Sequence, residues 1–281
     1  MRETDLPGMT DAPFDVIADY YDLDLAGYEE DVGIYENLGR RHDRPVLELG
    51  VGTGRAAMPL LRAGLQVVGI DRSEAMLDQA RRKLEALRPQ RLASNIRLLK
   101  EDMTDFDLGE SFGLVFCALG GFMHLRSQDD QVGALECARR HLASDGLLVV
   151  DLPAFDPQEW EPGVQPLTLD WTRRDATRDV LVSKFRSCQA DAARQVQHVT
   201  HIYEEWGPQG SMRRRLVTFE LRYVHRHEME LLLTGAGLQV RDLYGSYDLS
   251  PYDLHASRMI FVAGLASQRR AQSPRQERLS G

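Results

Sequence analysis

A glycine-rich turn carries the residue types and spacing that point most directly to chemistry. The segment ELGVGTGR begins at Glu48, ends at Arg55 and places Gly50, Gly52 and Gly54 two residues apart. Because glycine has no Cβ, the backbone of such a turn can approach a ligand closely. Dehydrogenases that bind dinucleotides use the spacing GxGxxG, whose last small residue would fall where Arg55 stands. The turn therefore predicts a bound nucleoside-like ligand, but not a pyrophosphate seated on the helix N-terminus.

Two further acidic positions end predicted strands. Asp71 lies 21 residues after Gly50, where a carboxylate can accept hydrogen bonds from both ribose hydroxyls of an adenosyl ligand. The alternative for Asp71 is a helix N-terminal charge that the helix dipole stabilises. Asp102 could accept the adenine amino group while Met103 packs against the ring, or the pair could form an ordinary polar loop. Open α/β sheets bind ligands at the carboxyl ends of their strands, where all of these residues fall.

Strands that alternate with helices must position these residues. One predicted helix is capped by Ser73, and another begins at Ser127 with a capping-box-like Asp130. Apolar runs predict five strands, at 45–50, 66–71, 96–103, 112–119 and 146–153. This alternation predicts an α/β fold with right-handed βαβ units and a doubly wound sheet.

The pattern changes after residue 153. Residues 167–223 alternate with period two, as antiparallel strands do, and WGPQGS at 206–211 predicts a turn between two of them. A helix at 225–237 and two closing strands then return to the α/β pattern. The predicted organisation is a helical arm or cap at 1–40, a core at 41–153 and 223–266, an inserted antiparallel sheet serving as substrate cap at 154–222, and a disordered tail at 267–281.

Composition excludes several classes of protein. The chain has 281 residues, a net charge of −9 and 43% hydrophobic residues, so it contains enough apolar material for a core. Three cysteines, none in a CxxC pair, argue against a disulfide framework and a zinc site, and no metal is expected. The N-terminal sequence has no signal-peptide pattern, and a cytoplasmic protein is predicted.

The charge is concentrated at the N-terminus. Residues 1–31 hold ten acidic side chains against Arg2, so the remainder is nearly neutral, and a solvated acidic helical arm is predicted. The absence of a basic surface disfavours a nucleic-acid partner, and no apolar span indicates a membrane. A small-molecule substrate is expected, and a homodimer is compatible with the sequence.

Several motifs together resemble those of the class I S-adenosylmethionine-dependent methyltransferases. They are VLELGVGTGR, VVGIDRSEAML, LLKEDMTDF and FGLVFCALGGFMHL, and the resemblance covers residues 14–153 and 223–265. It implies a Rossmann-like, seven-stranded doubly wound sheet with an inserted small antiparallel sheet. The segments DVIADYYDL and FMHL, with the insertion, resemble small-molecule enzymes, notably bacterial sugar-amine N-methyltransferases and glycine N-methyltransferase. One departure is ASDG at 143–146, where relatives usually have a Pro-Gly pair.

This resemblance implies a set of site residues. Glu48, Gly50 and Gly52 would line the methionine end of S-adenosylmethionine. Tyr20, Tyr21 and Tyr35 could close the site from the N-terminal arm, or at least two of them could be core or surface tyrosines. The predicted cofactor-binding set is Tyr21, Tyr35, Glu48, Gly50, Gly52, Gly54, Arg55, Asp71, Arg72, Met76, Asp102, Met103, Ala118 and Leu119.

The reacting groups are harder to assign. His124 lies five residues beyond Leu119, the predicted end of the fourth strand, and histidine titrates near neutrality. It could therefore act as a base, orient the substrate, or have only a structural role. No [DNS]PP[YFW] motif follows the fourth strand, which disfavours a base amine of nucleic acid as acceptor. Candidates to face the substrate from the insertion are His198, His201, Tyr203, Arg222 and Tyr223.

The predicted activity is methyl transfer from S-adenosylmethionine to an N or O atom of a small polar metabolite. Positioning of the nucleophile, the methyl group and the sulfur can supply most of the rate in such an in-line displacement. A non-catalytic protein that binds S-adenosylmethionine or S-adenosylhomocysteine is one alternative. An NAD-dependent dehydrogenase is another, which Arg55 disfavours.

Overall fold

The computed structural model describes residues 12–161 and 163–266, so the predicted tail at 267–281 lies outside the described residues. The helices are α1 Pro13–Asp24, α2 Val32–Gly39, α3 Ala57–Arg62, α4 Glu74–Ala86, α5 Gln128–Arg140 and α6 Arg226–Gly235. The strands are β1 Val46–Leu49, β2 Val67–Asp71, β3 Ile96–Lys100, β4 Phe112–Cys117, β5 Leu142–Pro153, β6 Gly163–Val164, β7 Thr168–Asp175, β8 Val180–Asp191, β9 Val196–Trp206, β10 Met212–Arg222, β11 Leu238–Tyr244 and β12 Arg258–Leu265. None of the described helices is both long and apolar enough to cross a membrane.

Seven strands form the central sheet in the order β11-β12-β5-β4-β1-β2-β3. The strands β1 to β5 pair in parallel, and β12 is antiparallel to both of its neighbours. Every residue of β1 and β4 is buried, as expected for parallel strands covered by helices on both faces. This arrangement confirms the predicted doubly wound sheet and brings the ends of β1 to β5 to one edge.

Local sequence signals set several element boundaries. Ser73 caps α4 by accepting a hydrogen bond from the Met76 amide, and Ser127 and Asp130 form the predicted capping box of α5. Strand β4 stops at Cys117, earlier than predicted, because Leu119 and Gly120 adopt left-handed backbone conformations with φ of 48° and 73°.

The inserted segment forms a second sheet in which β6 and β7 both pair with β8, followed by β9 and β10. All of these pairs are antiparallel, and residues 207–211 connect β9 to β10 as predicted. One face of this sheet packs against α1 through Val182, Tyr203 and Val217, which contact Ile17 and its neighbours. Helix α1 therefore lies between α4 and the inserted sheet.

The acidic N-terminal arm is not simply solvated, so that prediction is wrong for several of its residues. Ser73 Oγ donates to Asp15, and Lys83 Nζ lies 2.6 Å from Asp22 Oδ1. Asp24 pairs with Lys184 at 2.7 Å, and the fully buried Asp31 pairs with Arg55. These carboxylates attach the arm to the core, because each finds a donor on α4, the glycine turn or the inserted sheet.

Candidate active site

A cavity of about 300 Å³ opens at the carboxyl edge of the central sheet, beneath α1 and beside the inserted sheet. It collects residues that are far apart in the sequence from the ends of β1, β2, β3 and β4. Of the predicted site residues, its lining contains Tyr21, Gly50, Gly52, Asp71, Arg72, Met76, Asp102, Met103, Ala118, Leu119 and His124. The structure therefore brings most of the predicted set to one place.

The glycine turn is held by Asp71. Gly50, Gly52 and Gly54 all have positive φ, between 54° and 76°, a conformation that side chains disfavour. The Gly52 amide donates to Asp71 Oδ2 at 2.8 Å, and the Ser73 amide donates to Oδ1 at 2.8 Å. Burial raises the pKa of Asp71, and these two hydrogen bonds oppose that shift. The carboxylate that was predicted to bind ribose thus also shapes the turn.

The predicted adenine end lies at β3 and the loop after it. Asp102 Oδ1 accepts hydrogen bonds from the amide and the hydroxyl of Thr104, at 2.9 and 2.8 Å. The Met103 methyl lies 3.3 Å from the position that a Cβ on Gly50 would occupy. A side chain at Gly50 would therefore crowd Met103, so the thioether sits directly against the glycine turn.

Four predicted cofactor residues lie outside the cavity lining. Tyr35 is fully buried and stacks on Phe116, with ring centroids 4.2 Å apart. Gly54 and Arg55 line a neighbouring cavity of about 390 Å³, and the Arg55 guanidinium makes two hydrogen bonds to Asp31 at 2.7 and 2.6 Å. Direct cofactor contact by Tyr35 and Arg55 is therefore not supported, because their polar groups are committed to the protein interior.

Glu48 is the fourth of these residues and has a different environment. It is buried behind the glycine turn, and its Oε2 has no hydrogen-bond partner among the described residues. Burial raises its pKa to about 8, and Arg55 opposes that shift. An unsatisfied buried carboxyl group is costly, and a ligand ammonium would satisfy it. The unpartnered Oε2 therefore fits the ammonium at the methionine end of an S-adenosyl ligand, and Glu48 stands two residues before Gly50, which lines the cavity.

Comparison with known proteins agrees with this geometry. Residues 46–146 match the family model described as a methyltransferase domain. The dTDP-3-amino-3,6-dideoxy-alpha-D-glucopyranose N,N-dimethyltransferase of Streptomyces fradiae is 29% identical, over 82% of this chain and 86% of that protein. The cypemycin N-terminal methyltransferase of a Streptomyces species is 26% identical, over 78% and 82%. The solved structure of the CcbJ methyltransferase from Streptomyces caelestis is 26% identical with a TM-score of 0.73, and covers 91% of this chain and 98% of that one.

These comparisons show an S-adenosylmethionine-dependent methyltransferase, whose fold matches that of the class I enzymes. The family match covers the segment that runs from β1 to Gly146, in the first half of strand β5. The two relatives and the solved structure extend the likeness beyond this segment, because each covers more than three quarters of the chain.

Two histidines face the methyltransferase's cavity. His124 ends a short 3-10 helix at Gly121–His124, and its ring meets the Phe14 ring edge-on with centroids 4.7 Å apart. Burial lowers its pKa to about 4, so the prediction that it titrates near neutrality is wrong. His201 projects from β9, and its buried Nδ1 has no partner among the described residues. Burial and the Lys184 charge lower its pKa to about 3.

The other candidates from the insertion lie outside the cavity lining. Tyr203 stacks on Tyr20 with centroids 4.6 Å apart and donates to Asp24, while Arg222 binds Gln131 and Glu228. His198 lies 3.2 Å from Glu220. Tyr223 belongs to an aromatic cluster with Phe155, Trp160 and His225.

Three residues that line the cavity are marked by no local sequence pattern. Phe14 and Asp24 come from α1, and Phe219 comes from β10. Asp24 accepts hydrogen bonds from Trp171 Nε1 at 2.9 Å and from Lys184 Nζ at 2.7 Å. Its role depends on the docking of α1 against the inserted sheet, which no local pattern reveals. No cluster of three or more His, Cys, Asp or Glu side chains suited to a metal ion occurs within 12–161 and 163–266.

Proposed function

We propose that this methyltransferase transfers a methyl group to the amine nitrogen of a small polar metabolite. The charge of the cavity carries the proposal, because four acidic side chains line it against one basic side chain. They are Asp24, Asp71, Glu101 and Asp102, against Arg72, with Asp24 paired to Lys184 outside the lining. An acidic lining suits a sulfonium donor and a basic amine acceptor, and it repels an anionic acceptor such as a hydroxy acid.

Named side chains would hold the methyl donor. Glu48 would accept the cofactor ammonium with its unsatisfied Oε2, Asp71 would accept the ribose hydroxyls, and Met103 would pack against the adenine. S-adenosylmethionine supplies an electrophilic methyl carbon and a leaving thioether that needs no acid.

The acceptor side of the cavity is built from His124, His201 and Phe219. Both imidazoles are uncharged at neutral pH, because their pKa values are about 4 and 3. A neutral imidazole can accept a hydrogen bond from an N–H group and does not repel a substrate that arrives as an ammonium. Its low pKa makes it a weak base, so we assign the two rings to orientation of the amine lone pair, with the proton passing to solvent.

The inserted sheet acts as the substrate cap in this proposal. His201, Phe219 and Leu221 enter the cavity from β9 and β10, opposite the ends of β1 to β4. The segment 154–222 thus supplies acceptor contacts without contributing a strand to the central sheet.

The names of the two relatives support a nitrogen acceptor. One acts on a sugar that carries an amino group, and the other is an N-terminal methyltransferase. An amine nucleophile is the chemistry common to the two names. We also place the enzyme in the reducing cytoplasm, because the sequence has only three cysteines and no CxxC pair.

A comparison of acceptor classes tests the proposal. The enzyme is incubated with S-adenosylmethionine and separate panels of amino sugars, other primary and secondary amines, and hydroxy acids, and products are detected by mass spectrometry. We expect a mass increase of one or two methyl groups in an amine panel. Turnover confined to hydroxy acids would overturn the proposal, and an Asp71→Ala variant serves as the control for cofactor-dependent product.

A further inference from the structure

Asp151 is a buried carboxylate close to the cavity that the proposed chemistry does not use. It lies near the end of β5, is fully buried, and is absent from the cavity lining. Its Oδ1 accepts two hydrogen bonds from the Arg258 guanidinium, at 2.9 and 2.6 Å. Its Oδ2 accepts the hydroxyl of Tyr247 at 2.8 Å and that of Tyr35 at 3.4 Å.

The same carboxylate holds the loop that follows β4. Oδ2 also accepts the Leu119 amide at 3.0 Å, and the Asp151 carbonyl accepts the Gly120 amide at 2.8 Å. One residue of β5 therefore binds two successive amides of a loop that enters the cavity. If Asp151 served only as the ion-pair partner of Arg258, neither hydrogen bond to this loop would be required.

The loop needs such a restraint. Leu119 has a φ of 48°, a left-handed conformation that costs a non-glycine residue free energy and persists only where its surroundings impose it. Ala118, Leu119 and Gly121 line the cavity, and His124 ends the 3-10 helix that starts at Gly121. A change in the Leu119 backbone would therefore move both the cavity wall and the His124 ring.

We propose that Asp151 is a positioning residue, which fixes the strained Leu119–Gly120 backbone and thereby the wall of the cavity where the methyl donor binds. Arg258, from β12, balances the charge of the carboxylate at Oδ1, and Tyr247, from the loop before β12, donates to Oδ2, the oxygen that binds the Leu119 amide. The inference rests on the proposed use of this cavity for methyl transfer, but it makes no reference to the nature of the acceptor.

Two variants separate the loop contact from the ion pair. In Asp151→Asn, the single remaining side-chain oxygen turns to the Arg258 charge, so an NH₂ group faces the Leu119 amide. The double variant Asp151→Ala with Arg258→Gln removes both charges together with every side-chain acceptor for the Leu119 amide, which avoids leaving a buried guanidinium unpaired. Arg258→Lys is the matched control, because it weakens the ion pair while Oδ2 still accepts the Leu119 amide.

The readouts are amide hydrogen exchange of residues 118–124 by mass spectrometry, the Kd for S-adenosylhomocysteine by calorimetry, and the melting temperature. We expect both Asp151 variants to exchange at least tenfold faster in this segment and to bind S-adenosylhomocysteine about tenfold more weakly. Arg258→Lys should stay within about twofold of wild type in both, even though its melting temperature falls.

Two outcomes would overturn the inference. In one, Arg258→Lys loosens the segment as much as the Asp151 variants do, which would make the cluster a fold-stabilising ion pair only. In the other, both Asp151 variants leave exchange and affinity unchanged. Neither readout involves an acceptor, so a failure of the amine proposal in the acceptor panels would leave this test intact.

Discussion

Individual side chains in the cavity have properties that their type alone does not indicate. Histidine ordinarily titrates near neutrality, but burial lowers the pKa of His124 to about 4. A base with so low a pKa takes a proton from an ammonium only at a large energetic cost. We therefore expect the ring to act through its contacts and not as a base, because it packs against Phe14 and lines the cavity.

The substitution His124→Asn tests this role. We expect KM for the amine acceptor to rise about tenfold with kcat within about threefold of wild type, because an orienting contact is lost but no proton transfer is removed. The wild-type profile of kcat should show no inflection from His124 between about pH 5.5 and 8. The exposed His227 provides the control variant His227→Asn. A loss of 10² in kcat at unchanged KM would identify His124 as a base.

Glu48 makes a second prediction at the residue scale. With a pKa of about 8 it is mostly protonated at pH 7, and a cofactor ammonium at Oε2 would favour the carboxylate. Binding of S-adenosylhomocysteine at pH 7 should therefore release most of one proton. Calorimetry in two buffers of different ionisation enthalpy measures that number. Glu48→Gln should abolish the release and Glu85→Gln should preserve it, whereas equal release by all three proteins would contradict the assignment.

At the scale of elements, a largely buried ion pair attaches α1 to the inserted sheet. Lys184 is only 9% exposed at its side chain and binds Asp24 at the end of α1, with Asp170 3.4 Å away. The Trp171 indole and the Tyr203 hydroxyl also donate to Asp24. The helix that covers the cavity is therefore fixed at its C-terminal end by β7, β8 and β9.

Lys184→Met should detach this end of α1. Removal of one partner from a largely buried ion pair is destabilising, and after allowance for the partly exposed Asp24 we expect a loss of about 2 kcal/mol. That corresponds to a melting temperature lower by roughly 4–8 °C for a domain of this size. Lys100, which is 60% exposed and 4.0 Å from Glu74, gives the control Lys100→Met with a change of about 1 °C or less. Equal melting of the two variants would contradict the attachment.

At the scale of the whole molecule, three buried groups give stability a pH dependence of known sign. His124 and His201 have folded pKa values of about 4 and 3, below the ordinary 6.5, so acidification below 6.5 protonates the unfolded chain first and lowers the free energy of unfolding. Glu48 acts oppositely, because its folded pKa of about 8 exceeds the ordinary 4.5. Its contribution is lost as the pH rises from 4.5 through 8.

The melting temperature should therefore be highest near pH 6.5 in the absence of ligand. Below that pH, the unfolded chain binds about one proton more than the folded protein, because the two histidines contribute more than Glu48, so acidification lowers the free energy of unfolding. Above that pH only Glu48 differs between the two states, so a rise in pH lowers it. Thermal unfolding from pH 4.5 to 8.5 measures the curve. Glu48→Gln should flatten the alkaline side, and His124→Asn should make the acid side shallower. Unchanged slopes in both variants would contradict the assigned pKa shifts.

The sequence by itself determined the central fold and most of the residues that line the candidate site. Strands and helices alternate with strong periodicity, and the carboxyl ends of parallel strands meet at one edge by geometry. Asp71, Met103 and the glycine turn therefore reach the cavity wherever the strands pair in the predicted order. The capping residues Ser73 and Ser127 act within a few positions of the chain, so their roles were also readable.

Only the tertiary structure decided which of the predicted site residues have their polar groups bound by other parts of the protein. Arg55 and Tyr35 follow the sequence pattern of cofactor contacts, but Asp31 and Asp151 bind their polar groups from distant parts of the chain. The low pKa of His124 likewise arises from the burial that α1 and the inserted sheet provide. Such partners are separated by tens to hundreds of residues, and desolvation depends on everything packed nearby, so no local pattern can encode them.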